Sequence, residues 1–141
     1  VKVRLLDCKL HEDAIHRGPA QMYPCVREGI RAAINDASPV FFEPLQIHQI
    51  DAPENYMGDV SKLVSNKRGQ LLEMNQESGM VVIKAKLPVG EMFGWSSDLR
   101  SATGGRGQSA LMDQTFERLP GELQTKIMKK IRARKGLNDN Q

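Results

Sequence analysis

The chain has 141 residues, 40% hydrophobic and 26% charged, enough to bury one modest core or two small ones and too apolar for a disordered tail. Its net charge of +3 is too small for whole-surface attraction to nucleic acid, and the bias is local: residues 121–141 hold six basic groups against two acidic ones. No apolar run approaches the roughly 20 residues of a membrane span and VKVRLLDCKL lacks a signal-peptide stretch, so a cytoplasmic chain is expected, with neither a membrane nor DNA as partner.

Val1, Val3 and Leu5 alternate with Lys2, Arg4 and Leu6, the period of a half-buried strand. A strand-like beginning on Val1 rather than Met suggests a chain cut from something longer. HEDAIHRGPAQ mixes charges with Gly18 and Pro19 and predicts an exposed loop. After Pro24, the residues Val26, Ile30, Ala33, Ile34 and Ala37 recur at helical spacing, predicting an amphipathic helix to about Ser38. Pro39 and Pro44 interrupt this pattern and place a domain boundary near residue 42.

Pro44 to Ala52 reads as a strand, and Pro53 can open a helix that places Met57, Val60, Leu63 and Val64 on one face. Gly69 is the expected left-handed terminator of that helix. Gln70 to Gln76 and Met80 to Leu87 predict two strands around a turn at Glu77, Ser78 and Gly79, with Val81, Ile83, Ala85 and Leu87 on one side of the second. A helix from Glu91 to about Ala102 follows, with Met92, Phe93 and Leu99 as core contacts and Trp95 also inside. Thr103 to Gly107 reads as a flexible run and Gln108 to Leu119 as a last strand. Strand, helix, strand, strand, helix, strand is the split βαβ order, so an α+β, ferredoxin-like domain is expected over residues 44–119. A strongly basic amphipathic helix closes the chain from Gly121 to about Lys135, with Leu123, Ile127, Met128 and Ile131 as its apolar stripe. Docking of that helix within a larger protein is preferred to membrane binding, because the stripe is narrow and lacks Trp and Phe.

Cys8 and Cys25 are too few for a disulfide framework and have no zinc spacing, so buried reduced thiols are expected. His11 and His16 stand beside Glu12 and Asp13, which raises the ideas of a metal site and of an acid–base pair. An i, i+5 spacing separates the two rings on a helix, HExxH is absent, and nothing supplies a nucleophile, so neither reading is adopted. Gly104, Gly105, Arg106 and Gly107 follow a predicted helix rather than a strand and lack the Lys-Ser/Thr pair of a phosphate cradle.

The string LHEDAIHRGPAQ, Leu10 to Gln21, resembles the tip loop of the fourth domain of archaeal and eukaryotic translation elongation factor 2. EMFGWSSDLRSATGGRG, Glu91 to Gly107, is similar to the fifth domain of that family, and IRARKGL, Ile131 to Leu137, to its archaeal terminus. The resemblance implies that residues 1–42 end a ribosomal-protein-S5-like α/β domain IV, that 43–120 form domain V, and that 121–141 are a basic helix and tail. It also implies that His16, followed by Arg17 and Gly18, is the histidine converted to diphthamide by dedicated biosynthesis enzymes. Pro19, Ala20 and Gln21 match the archaeal form of the loop, whereas Met22, Tyr23 and Cys25 depart from the usual small or aliphatic types.

On this resemblance the partner is the ribosome. His16 would lie beside the codon–anticodon helix, with Lys9 and Arg17 on phosphates, while Arg100 and Arg106 would touch rRNA of the large subunit. The implied function is GTP-dependent translocation of tRNA and mRNA, with GTP and Mg in a distant domain of the parent. No cofactor, no metal and no enzyme activity is expected of these residues themselves, and a monomer is expected. The alternatives are a free-standing ferredoxin-like RNA-binding module and a small enzyme using the His16 loop. One strand and one helix cannot bury a sufficient core, so residues 1–42 should be poorly supported alone.

Overall fold

A computed structural model of the protein describes residues 1–136, in two units, Val1–Val40 and Phe41–Gln141. The tail from 137 onward, including Leu137 of the IRARKGL string, lies outside the described residues.

In the first unit residues 1–10 form no strand, contrary to their alternating pattern, and Val1, Val3, Leu5 and Leu6 are exposed. A lone strand leaves its backbone groups without a ladder, and this unit offers no second strand to pair with. One 3-10 turn, Ala14–Arg17, is capped by Asp13, whose side chain accepts the Ile15 N–H. Helix α1, Pro19–Asp36, starts five residues earlier than the periodicity indicated, so Pro19, Ala20 and Gln21 are helical rather than loop. Pro19 suits the first turn, where its missing N–H would be unsatisfied anyway. Pro24 then lies inside the helix and forfeits the bond that an N–H there would make to the Ala20 carbonyl. No residue of this unit is buried, and both cysteines are exposed free thiols rather than core residues.

The second unit has the expected α+β order: β1 (Phe42–Pro53), α2 (Met57–Asn66), β2 (Gln70–Glu77), β3 (Met80–Pro88), α3 (Trp95–Ala102), β4 (Gln108–Arg118) and α4 (Gly121–Lys135). The four strands form one antiparallel sheet in the order β2-β3-β1-β4. Ala52 pairs with Val81, Ile50 with Ile83 and His48 with Ala85, so alternation places these side chains on one face. Val60 and Val64 of α2 and Trp95 and Leu99 of α3 close over it, all at most 5% exposed. This is the ferredoxin-like arrangement that the element order implies.

Local chemistry explains the joints. Ser78 (φ 52°) and Gly79 (φ 81°) are both left-handed, the requirement of a two-residue turn that follows the twist of its strands. At the end of α2 the left-handed residue is Arg68 (φ 55°), not Gly69. Glycine is required at 69 for space: a Cβ there would lie 2.5 Å from Leu87 Cδ2 and 2.9 Å from the Val64 carbonyl. Arg68 is held by Glu43 at 3.0 Å and Glu91 at 3.1 Å, which keep its guanidinium charged.

The predicted helix from Glu91 is broken. Val89–Glu91 is a 3-10 turn, Gly94 turns left-handed at φ 76°, and α3 begins only at Trp95. The break turns Phe93 outward to 85% exposure while Trp95 enters the core at 5%, so Phe93 is not a core contact. Helix α4 has the predicted bounds and no buried residue. Gln124 ties it down, accepting the Phe41 N–H at 2.9 Å and donating to the Leu119 carbonyl at 3.0 Å. Gly136 ends it at φ 67°, and Arg132, Arg134 and Lys135 in the last turn oppose the negative end of the helix dipole.

Candidate functional site

The loop His11–Gly18 is stiffened by its own short-range bonds. The Asp13 N–H donates to His11 Nδ1 at 3.0 Å, and the Ile15 N–H donates to Asp13 Oδ1 at 3.0 Å. The His16 N–H reaches the Asp13 carbonyl at 3.2 Å, and the Arg17 guanidinium donates to the Glu12 carbonyl at 3.3 Å. The rings of His11 and His16 meet edge to face, with centroids 4.6 Å apart and planes at 66°. On a helix this spacing would separate them; a loop followed by one 3-10 turn folds them together. Sequence spacing therefore missed His11 as a neighbour of His16, because i, i+5 separation puts two rings apart only on a helix and this segment is not one.

Lys9, His16 and Arg17 are all exposed in this first unit. Among the described residues no group of three or more His, Cys, Asp or Glu is placed to hold a metal ion. What the loop offers is a solvent-facing imidazole followed directly in the chain by the exposed Arg17.

Arg100 and Arg106 belong to the second unit. Arg100 lies in the last turn of α3 and Arg106 in the turn that follows; both are exposed. The Gly-rich run between them does not fit a nucleotide. Three of its four N–H groups are already used: Gly105 donates to the Arg100 carbonyl at 2.8 Å, Arg106 to that of Thr103 at 3.2 Å, and Gly107 to Thr103 Oγ1 at 2.7 Å. A phosphate cradle needs such donors free.

A polar cluster in the second unit was not legible from the strand pattern. His48, 8% exposed, has Nδ1 at 2.9 Å from Ser109 Oγ and Nε2 at 3.1 Å from Gln46 Oε1. Trp95 Nε1–H also donates to Ser109 Oγ at 3.0 Å. The set closes if the Ser109 hydroxyl donates to Nδ1 and a neutral ring donates from Nε2. Burial lowers the His48 pKa, in keeping with that neutral form. A groove of about 410 Å³ adjoins the cluster, between His48, Gln46 and the start of α3, and no charged side chain lines it. The cluster joins α3 to the sheet. On the central strands β1 and β3 the only aromatic residue besides His48 is Phe42, at the very start of β1, so the stacking pair of an RNA-recognition sheet is missing.

The family model described as "Elongation factor G, domain IV" matches residues 1–38, and that described as "Elongation factor G C-terminus" matches residues 40–127. Elongation factor 2 of Methanococcus maripaludis (strain C5) is 53% identical over 137 residues, which is 97% of this chain and 19% of that protein. Elongation factor 2 of Methanocaldococcus jannaschii is 50% identical over the same share of each chain. A crystal structure of a Thermus thermophilus protein shares the fold with a TM-score of 0.60 at 30% identity, over 64% of this chain and 14% of that one. The chain thus spans about a fifth of the length of the curated relatives it matches. With a C-terminal family model over most of its length, and archaeal relatives at about half identity over nearly all of it, the chain belongs to the translation elongation factor family of elongation factors G and 2.

Proposed function

We propose that this chain is the ribosome-contacting end of a GTP-dependent translocase, with residues 1–42 as the end of domain IV, 43–120 as domain V and 121–141 as a basic terminal segment. GTP and Mg would be bound by a domain outside these residues. The observation that carries the reading is the exposed, internally braced His11–Gly18 loop, which presents His16 to solvent in the unit matched by the domain IV family model.

In this reading the diphthamide enzymes extend His16 with an arm that carries fixed positive charge and hydrogen-bonding groups. The arm contacts the minor groove of the codon–anticodon helix, where 2′-hydroxyls and shape are available, while Lys9 and Arg17 neutralise phosphates. Arg100 and Arg106 face rRNA of the large subunit. The factor thereby keeps mRNA and tRNA in register as the ribosome moves.

The test is the complete factor carrying His16→Ala, assayed for frameshifting during translocation. Loss of one net hydrogen bond, about 0.5–1.5 kcal/mol, corresponds to a roughly two- to tenfold rise. Unchanged frameshifting would sink the role given to His16. Mass spectrometry of the peptide containing His16, taken from the native host, tests the modification separately; an unmodified histidine rejects it.

A further inference from the structure

We infer that His11 is a positioning residue for His16: its ring, pinned at the base of the loop, packs edge to face against the His16 ring and holds it in one orientation at the loop tip. Two observations carry this. The rings lie 4.6 Å apart at 66°, a geometry in which the positive edge of one aromatic ring meets the negative face of another. The His11 ring is itself anchored, because its Nδ1 accepts the Asp13 N–H at 3.0 Å.

The anchor forms a chain of constraint. Asp13 donates its backbone N–H to His11, accepts the Ile15 N–H with its side chain and accepts the His16 N–H with its carbonyl. Backbone and ring of His16 are thus both referred to Asp13, one directly and one through His11. Acceptance at Nδ1 also requires the His11 proton on Nε2. An exposed side chain that is otherwise free to rotate contacts a partner with less loss of rotamer entropy when it is held beforehand. The functional part of this inference rests on the reading of His16 given under Proposed function; the geometric part does not.

The experiment uses two variants that divide the features of His11. His11→Phe retains a ring to meet His16 and loses the acceptor. His11→Asn retains an acceptor two residues before the Asp13 N–H and loses the ring. In the complete factor with isotope-labelled histidine rings, two-dimensional NMR of the ring C–H groups should show a through-space contact between His11 and His16. The shifts of His16 should stay dispersed in His11→Phe and collapse toward those of a free histidine in His11→Asn. In the complete factor, His11→Asn should raise frameshifting about twofold, the scale of one exposed aromatic pair, and His11→Phe should restore most of it. A His16 ring spectrum that is the same in all three proteins overturns the positioning. So does frameshifting that rises in His16→Ala and stays at the wild-type level in His11→Asn. Frameshifting unchanged in His16→Ala, together with an altered ring spectrum in His11→Asn, instead rejects the role given to His16 and upholds the geometry.

Discussion

His48 shows how one buried ring can make a sheet sensitive to pH. Desolvation pulls its pKa below the ordinary 6.5, so the unfolded chain takes up a proton before the folded one does. The stability that His48 contributes is complete above about pH 6.5 and is lost as pH falls through the folded-state value. The groups facing the ring are Gln46, Ser109 and Trp95, none of them charged, so nothing among them compensates the proton. Unfolding followed by fluorescence of Trp95, the single tryptophan, should give a midpoint that falls more steeply as pH drops below about 6.5 in wild type than in His48→Gln. Equal slopes would remove His48 as the cause. At the loop, by contrast, both histidines are exposed, and their interest lies in what they can touch.

At the scale of elements, the joints between helices and strands carry more information than the elements themselves. The end of α2 must pass under Leu87 of β3, and only a residue without a Cβ fits: Gly69 approaches Leu87 and Val64, while its N–H donates to the Val64 carbonyl at 2.8 Å. Gly69→Ala should destabilise the second unit by about 2 kcal/mol, the scale of an overpacked core, because one of the close atoms is backbone and cannot rotate away. Chemical denaturation read by Trp95 would check this; a change below about 0.5 kcal/mol would mean that α2 shifts at little cost. Lys67 and Arg68 flank the same joint. Lys67 pairs with Asp98 of α3 at 2.8 Å, and Arg68 with Glu43 and Glu91. Such partly exposed pairs contribute little to stability but orient neighbouring elements. The two helices thereby acquire a defined register over the sheet.

Across the whole molecule the two units differ in what they can bury. The second has a contiguous core in which Ile50, Val60, Val64, Val81, Ile83 and Leu87 have no exposed surface. The first has none, and a single 18-residue helix with an internal proline is marginal in water. Hydrogen exchange on the chain should find the highest protection in β1 and β3 and little in residues 1–38. Protection of α1 equal to that of β3 would show that this unit is stabilised by something other than its own side chains.

Much of this was legible in the order of residues. Period-two alternation in Met80 to Leu87, the Ser78-Gly79 turn and the face Val60–Val64 were enough to derive the α+β sheet with its helices on one side, because each pattern has one geometric solution when half its surface must be buried. The family, too, was readable from LHEDAIHRGPAQ and EMFGWSSDLRSATGGRG. Three things depended on tertiary context. The alternating Val1 to Leu6 segment forms no strand, because a strand is completed by its neighbours rather than by its own pattern. Phe93 leaves the core, while Trp95 stays in it as expected, because a left-handed Gly94 interrupts the helix. His11 meets His16, and His48 meets Ser109 across 61 positions, only because the backbone folds them together. Periodicity reports which face a residue occupies, and only three-dimensional packing decides which side chains share it.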